Sequence, residues 1–330
     1  MITLSKLASL AHVSVSTASK AFSMSPEVNE QTRETIFQIA KEQSCFKKFF
    51  NAKYPKYVIA VICPEYKSLF YSTALSLLQE YLSEHSCEVC VASTNFSPEK
   101  EADLLEYYSR YATVDGIIVI DGRITPDLHT DIPIATIFPN PGCAGVISVS
   151  GDCTEAMTDG IQFFLDSGIT DIGFIGDPHT DAKQRLFARI AESLSPALKI
   201  SFMISPQRFE AGGYNAFSHF AAGGHIPRAV FCAYDYMAIG AIRYCWEHKL
   251  QVPEDVAIIG MDDIPENKYL NPPLSSINFN MDKICAAAAK AMMKRLTEPA
   301  FTLQEKISAT LHLRESANLT LRKNGAVKNA

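Results

Sequence analysis

Short apolar runs rich in β-branched residues alternate with longer segments of helical spacing through most of the sequence. YVIAVIC (57–63) is followed by a helix-like stretch over 70–85, CEVCVAS (87–93) by another over 100–111, and then come VDGIIVI and IPIATIF. Strands that are apolar on both faces and separated by helices belong to a parallel sheet, because crossover helices cover both of its sides. After residue 165 the pattern starts again with ITDIGFIG, a helix over 181–194, KISFMI, a helix over 212–222, AVFCAY, a helix over 236–248, and VAIIGMDD. The chain is therefore expected to form two doubly wound lobes in succession. In such sheets ligands bind outside the carboxyl ends of the strands.

Composition supports more than one unit, since 47% of the 330 residues are hydrophobic, enough for a sizeable core. The net charge of -6 argues against a nucleic-acid coat or a basic membrane-surface protein, but the charge is uneven. Residues 1–56 carry eight basic against four acidic groups, a net of four positive charges, which leaves ten net negative charges on residues 57–330. The apolar runs fall short of the about 20 residues that a membrane span needs. The opening MITLSKLASL also lacks a basic region followed by a long apolar one. A soluble, cytoplasmic protein with no membrane partner is expected. Nine dispersed cysteines fit reduced, buried thiols better than a disulfide framework. The single CxxC, Cys87 to Cys90, reads as a buried strand, and no second Cys/His pair follows at metal-binding spacing. No metal and no cofactor are expected, and no HExxH, GxSxG or P-loop pattern points to an enzyme.

The basic head has its own pattern. Thr3 caps a first helix with Leu4, Leu7, Ala8, Leu10 and Ala11 at helical spacing, and a turn follows at His12-Val13. Ser14 starts a second helix, VSTASKAF, with Ala18, Ala21 and Phe22 facing inward and Val15, Ser16, Thr17, Ser19 and Lys20 facing outward. Asn29 caps a third helix carrying Thr32, Ile36, Ile39 and Ala40 inward. Two short helices joined by a tight turn and backed by a third make a helix-turn-helix plan, in which the second helix enters the DNA major groove. Short side chains let that helix approach base edges, and Lys20 can donate to guanine. A small helical cap without a DNA role is the plainer alternative.

ITLSKLASLAHVSVSTASKAF resembles, without a gap, the N-terminal motif of the LacI family of bacterial transcription regulators. IGFIGD, GGYNAF, AVFCAYDYMAIGAIR and VPEDVAIIGMDDIPENKYLNPPLSSI resemble the effector domains of the same family. The resemblance implies an all-α helix-turn-helix head on an α/β, periplasmic-binding-protein-like body of two doubly wound parallel-sheet lobes. It makes Val15 and Ser16 base-reading residues, Thr17 and Ser19 phosphate-facing ones, and puts Lys20 where the family has Arg. His12 replaces the family's turn Gly, and His tolerates left-handed backbone better than most residues. Lys20 keeps the charge of Arg without its bidentate fork. The wedge position of the family's hinge helix falls near Tyr54, but Pro55 disfavours helix there, so an ordinary tether and a functional hinge both remain open.

The resemblance also implies an effector pocket of Phe70, Asp152, Arg185, Tyr234, Asp235 and Asp262, with Tyr234 standing where most members have Asn. Independently, Asp262 and Asp263 follow a buried strand directly, so carboxylates lie where a polyol could be held. The expected organisation is a head over 1–46, a linker over 47–56, a first lobe over 57–164 and 280–308, a second over 165–279 and 309–320, and a tail over 321–330. Residues 280–308 are expected to return to the first lobe as a helix. These features imply a repressor that binds operator DNA as a homodimer and is controlled by a small carbohydrate-like effector held between the lobes. A transport-type sugar-binding protein with a non-functional head and an uncharacterised enzyme are the alternative readings.

Overall fold

The computed structural model describes residues 2–43, 45–49, 56–122, 130, 132–139 and 146–317. The head begins with α1 (Leu4–Leu10), α2 (Val15–Phe22) and α3 (Glu30–Glu42). Each starts on a side-chain cap: Thr3 accepts from the Lys6 N–H, Ser14 from Thr17 and Asn29 from Thr32, at 3.2, 2.9 and 2.8 Å. His12, at φ 53°, makes the left-handed turn between α1 and α2. Leu7, Ala21, Phe22, Val28, Ile36 and Ala40 form the core. Arg33 is buried where the helical pattern had pointed Thr32 inward, and its guanidinium donates to the Ser25 and Val28 carbonyls, both at 2.8 Å. A one-turn helix α4 (Phe46–Phe49) packs Phe46 and Phe49 on Phe22, with ring centres 5.9 and 5.8 Å away. The expected linker therefore begins later than residue 47, because the head recruits these aromatics to finish a core too small to close without them.

In the body, β1 (Tyr57–Cys63), α5 (Leu69–Ser83), β2 (Cys87–Ser93), α6 (Pro98–Arg110), β3 (Gly116–Ile120), β4 (Ile134–Ile137) and β5 (Ile147–Asp152) come first. Next are α7 (Thr154–Asp166), β6 (Asp171–Gly176), α8 (Asp181–Leu194), β7 (Lys199–Ile204), α9 (Phe209–Ala222), β8 (Ala229–Cys232), α10 (Asp235–Glu247) and β9 (Ala257–Met261). A 3-10 turn at Pro265–Tyr269, β10 (Ser275–Asn278), α11 (Met281–Thr297), β11 (Leu303–Ser308) and β12 (Thr310–His312) complete the order. One sheet runs β11-β5-β4-β3-β1-β2 and the other β12-β10-β9-β8-β6-β7. The pairs β1-β2, β1-β3 and β3-β4 are parallel in the first sheet, as are β6-β7, β6-β8, β8-β9 and β9-β10 in the second, while β12 runs antiparallel to β10. Every residue of the central strands β3, β8 and β9 is buried, as their unbroken apolar runs require.

The described chain sorts into two compact units: Leu75–Ser148 and Cys285–Leu303 with the residues up to Tyr66, and Lys67–Ala74, Val149–Ile284 and the residues from Gln304 on. The second unit takes α7, which the sequence had assigned to the first lobe. Phe164 of α7 meets Phe231 of β8 edge-on at 5.7 Å, so the chain changes unit near residue 148, not 165. The returning segment is helical only to Thr297, after which β11 joins the edge of the first sheet. Cys87 and Cys90 are three apart on β2, so their side chains leave opposite faces, and burial raises both thiols, Cys87 to about 11. Among the described residues no helix is long and apolar enough to cross a membrane.

Candidate functional site

Among the described residues, two places gather groups with chemistry to offer. The first is the outer face of α2. Val15 is 47% exposed, and Ser16 and Ser19 are exposed on the same short helix. Thr17 is half-buried and its hydroxyl lies 2.8 Å from the Ser14 hydroxyl, so it also steadies the cap. Lys20 is ion-paired with Glu27 across the turn that leaves α2. The face thus offers one methyl-bearing group, small hydroxyls and one partly neutralised cation. Tyr54 lies outside the described residues.

The second place is the carboxyl edge of the second sheet, where α8, α9 and α10 leave β6, β7 and β8. Asp177 is buried just past β6. It accepts from the Tyr234 hydroxyl and the His179 N–H, both at 2.8 Å, and pairs with Arg208 Nε at 3.4 Å. The Tyr234 oxygen in turn accepts from the Phe209 N–H at 3.0 Å, and burial together with the Asp177 charge raises the phenol well above its ordinary value. Asp235, 0% exposed, accepts from the Ile264 N–H, the Asn267 amide and the Ser276 hydroxyl at 2.9, 2.8 and 2.6 Å. These bonds fasten α10 to the loop after β9.

Lys183, in the first turn of α8, donates to the Ala233 carbonyl at 2.7 Å and lies 5.2 Å from the centre of the Phe279 ring. Its ammonium is 3.8 Å from Asp262 Oδ1, beyond hydrogen-bond reach, and that oxygen has no hydrogen-bond partner among the described residues. Burial pushes the Asp262 carboxyl up, and the Lys183 charge opposes the shift. Asp262 also holds a φ of 104°, a strained conformation for a non-glycine residue. Phe70 meets Phe279 edge-on at 6.0 Å. Lys67 Nζ and Arg208 Cζ lie 4.8 and 4.6 Å from the centre of the Phe209 ring, whose other neighbours are Tyr234 and Tyr236. The edge therefore combines aromatic faces, cations and an oxygen with an unused acceptor position, groups that suit a polar ring-shaped molecule.

Of the six expected effector residues, the structure brings Phe70 and Asp262 together through Phe279 and Lys183. Tyr234 and Asp235 flank them, with their polar atoms committed to internal bonds. Asp152 takes a turn position, where its carboxylate accepts from the Thr154 N–H at 2.9 Å and hydrogen bonds from Thr154 hold it below its usual value. Arg185 lies elsewhere: its side chain is 66% exposed and paired with Asp181 one turn back on α8. Lys183 supplies the cation near Asp262 in its stead. The sequence reading missed Lys67, Lys183, Arg208, Phe209 and Phe279. Three of them were detectable by position, since Lys183, Arg208 and Phe209 stand in or beside the first turns of helices that follow strands of the second sheet.

Residues 161–317 match the family model described as a periplasmic binding protein-like domain. The probable HTH-type transcriptional repressor ExuR of Bacillus subtilis (strain 168) is 27% identical over 325 residues, covering 93% of this chain and 95% of that protein. Among solved structures, the transcriptional regulator CelR-cellobiose complex superposes with a TM-score of 0.65 at 22% identity, over 96% of this chain and all of that one. The lac repressor dimer bound to operator and the anti-inducer ONPF gives 0.74 at 17% identity, over 96% and 98%. The structural likenesses establish the fold, and the sequence match runs through head and body alike. With its ungapped head motif and its two-sheet body, the chain is similar along its length to transcriptional repressors of the LacI type.

Proposed function

We propose that the chain is a sequence-specific DNA-binding repressor whose hold on its operator is set by a small carbohydrate-type metabolite bound at the carboxyl edge of the second sheet. The observation that carries this reading is the presence, in one chain, of a capped and exposed α2 face and of a sheet edge where Asp262 and Lys183 stand 3.8 Å apart among aromatic rings. ExuR of Bacillus subtilis, described as a probable HTH-type transcriptional repressor and matching over 93% of this chain, supports it, and the CelR complex holds cellobiose. One head reads one half-site, so a homodimer on a palindromic operator follows from the geometry, and work on the chromosome places the protein in the cytoplasm.

Val15 and Ser16 read base edges in this proposal, Thr17 and Ser19 face phosphates, and Lys20 exchanges Glu27 for a guanine or a phosphate. The wedge position of the family's hinge falls near Tyr54, and a tether and a functional hinge both stay open for this linker. A duplex selected by the intact protein should bind some 10³-fold more tightly than a scrambled one at fixed salt. Ser16→Ala should change which bases are preferred, whereas Thr17→Ala should weaken all sequences alike. Equal affinity for selected and scrambled duplexes would overturn the proposal.

A further inference from the structure

Three cationic side chains stand at the aromatic edge of the second sheet, beside the carboxylates of Asp177, Asp235 and Asp262. Lys67 and Arg208 both lie over the Phe209 ring, and Lys183 lies over Phe279. The carboxylates among them differ in what they have left to give. Asp177 is wholly buried and already holds Tyr234, His179 and Arg208. Asp262 leaves Lys183 3.8 Å away, at a distance where the ammonium keeps donor capacity.

A second observation points the same way. The head helices and α6 open on side-chain caps, from Thr3, Ser14, Asn29 and Ser97. Thr180, Arg208 and Tyr234 stand at the cap positions of α8, α9 and α10 without making that bond, as does Cys153 before α7, although the Tyr234 hydroxyl takes the leading N–H of α9. The Thr180 hydroxyl is turned back on Asp177, bonding its N–H and carbonyl at 2.9 and 2.8 Å. Helix starts carry partial positive charge on their leading N–H groups, and Lys183 stands in the first turn of α8 while Arg208 and Lys67 stand at the start of α9. A neutral polyol gains only ion–dipole hydrogen bonds there, whereas an anion gains the stronger charge-assisted ones in a site of reduced dielectric.

We infer that the effector is an acidic sugar derivative, whose carboxylate or phosphate is taken by Lys183 with Lys67 and Arg208 while Asp262 accepts from a neighbouring hydroxyl and the Phe70, Phe209 and Phe279 rings meet its apolar face. The inference rests on the proposed effector site and adds to it the charge of the ligand. Lys183 determines this specificity, because it is the cation that stands 3.8 Å from Asp262.

The test uses the full-length protein in calorimetric titrations at low salt with three matched probes: glucose, glucuronate and glucose 6-phosphate. Glucuronate or glucose 6-phosphate should bind at least tenfold more tightly than glucose, and whichever leads identifies the anion as carboxylate or phosphate. Lys183→Met should bring the ratio of acid to neutral affinity close to one, and Lys183→Arg, which keeps the charge, should retain most of it. Arg208→Gln should lower the same ratio and guards against a folding defect in any single variant. Glucose binding as tightly as both acids would overturn the inference while leaving the effector site in place. Failure of all three probes to bind, or to alter operator affinity, would overturn the effector reading as well.

Discussion

Asp262 and Asp263 are adjacent in sequence, yet the chain uses them for opposite purposes. Asp263 is buried under β12, paired with Arg314 and His312 at 2.7 Å each and bonded by the Asn278 amide at 3.1 Å. Burial alone would raise its carboxyl, but the bonds from Arg314 and His312 prevail and hold it below the ordinary value. A folded-state pKa below the unfolded one means that the stabilisation is present above the unfolded value and is lost as pH falls through the folded one. Asp263→Asn should therefore cost about 3 kcal/mol at pH 7, the scale expected when one partner of a buried pair is removed. The deficit should shrink below about pH 4, as the wild-type carboxylate protonates. Urea unfolding of both proteins between pH 7 and pH 3 measures this, and a deficit independent of pH would refute it. Asp262 instead faces a single cation, Lys183, 3.8 Å from its Oδ1. Of this pair the carboxylate was legible from two aspartates at a strand end, but the cation was not. Residues 183 and 185 differ by about 200° around a helix, so a two-residue error in register exchanges the inner face for the outer one.

At the scale of elements, the close crossing of α9 and α10 depends on glycine. A Cβ on Gly213 would fall 1.9 Å from the Met237 carbonyl oxygen, and one on Gly240 would fall 2.0 Å from that of Glu210. Neither neighbour can yield, because both are backbone inside helices. Gly213→Ala and Gly240→Ala should each destabilise the protein by about 3 kcal/mol, the upper end for overpacking, and thermal unfolding should show the loss without any ligand. A fall of less than about 1 kcal/mol in both would mean that the helices separate easily. The same glycines explain a boundary that the sequence hid. The helix was expected over 212–222, whereas α9 begins at Phe209 and carries the glycines inside. Where one force dominates, the pattern sufficed: α8 and β7 occupy 181–194 and 199–204, the ranges expected from their periodicity. Assigning α7 to a lobe failed for a physical reason. Helical spacing shows that Phe164 is buried, but not whether the ring meets the first sheet or, as it does, Phe231 in the second.

At the scale of the whole molecule, the proposed function requires the sheet edge and the head to influence each other, and thermodynamics fixes how. If an effector changes operator affinity by some factor, the operator must change effector affinity by the same factor, whatever the structural route. Typical couplings of about 1–3 kcal/mol correspond to roughly 5- to 150-fold, within reach of direct titration. Effector affinity should be measured with and without saturating operator, and operator affinity with and without saturating effector; the two ratios should agree. Asp262→Asn gives the decisive variant. It removes a carboxylate oxygen that has no hydrogen-bond partner within the described protein, so it should cost at least tenfold in effector affinity. The effector's stabilisation of the fold, about 2.7 kcal/mol at a hundredfold excess over Kd, should fall in step at the same concentration. Operator affinity in the absence of effector depends on α2, whose core of Leu7, Ala21, Phe22 and Ile36 is closed within the head. The variant should therefore hold its operator at effector concentrations that release the wild type, or that recruit it if the effector is a co-repressor. Unequal ratios in the wild type would show that effector and operator do not act on one shared equilibrium. Normal effector affinity in Asp262→Asn would show that the ligand is held elsewhere in the fold.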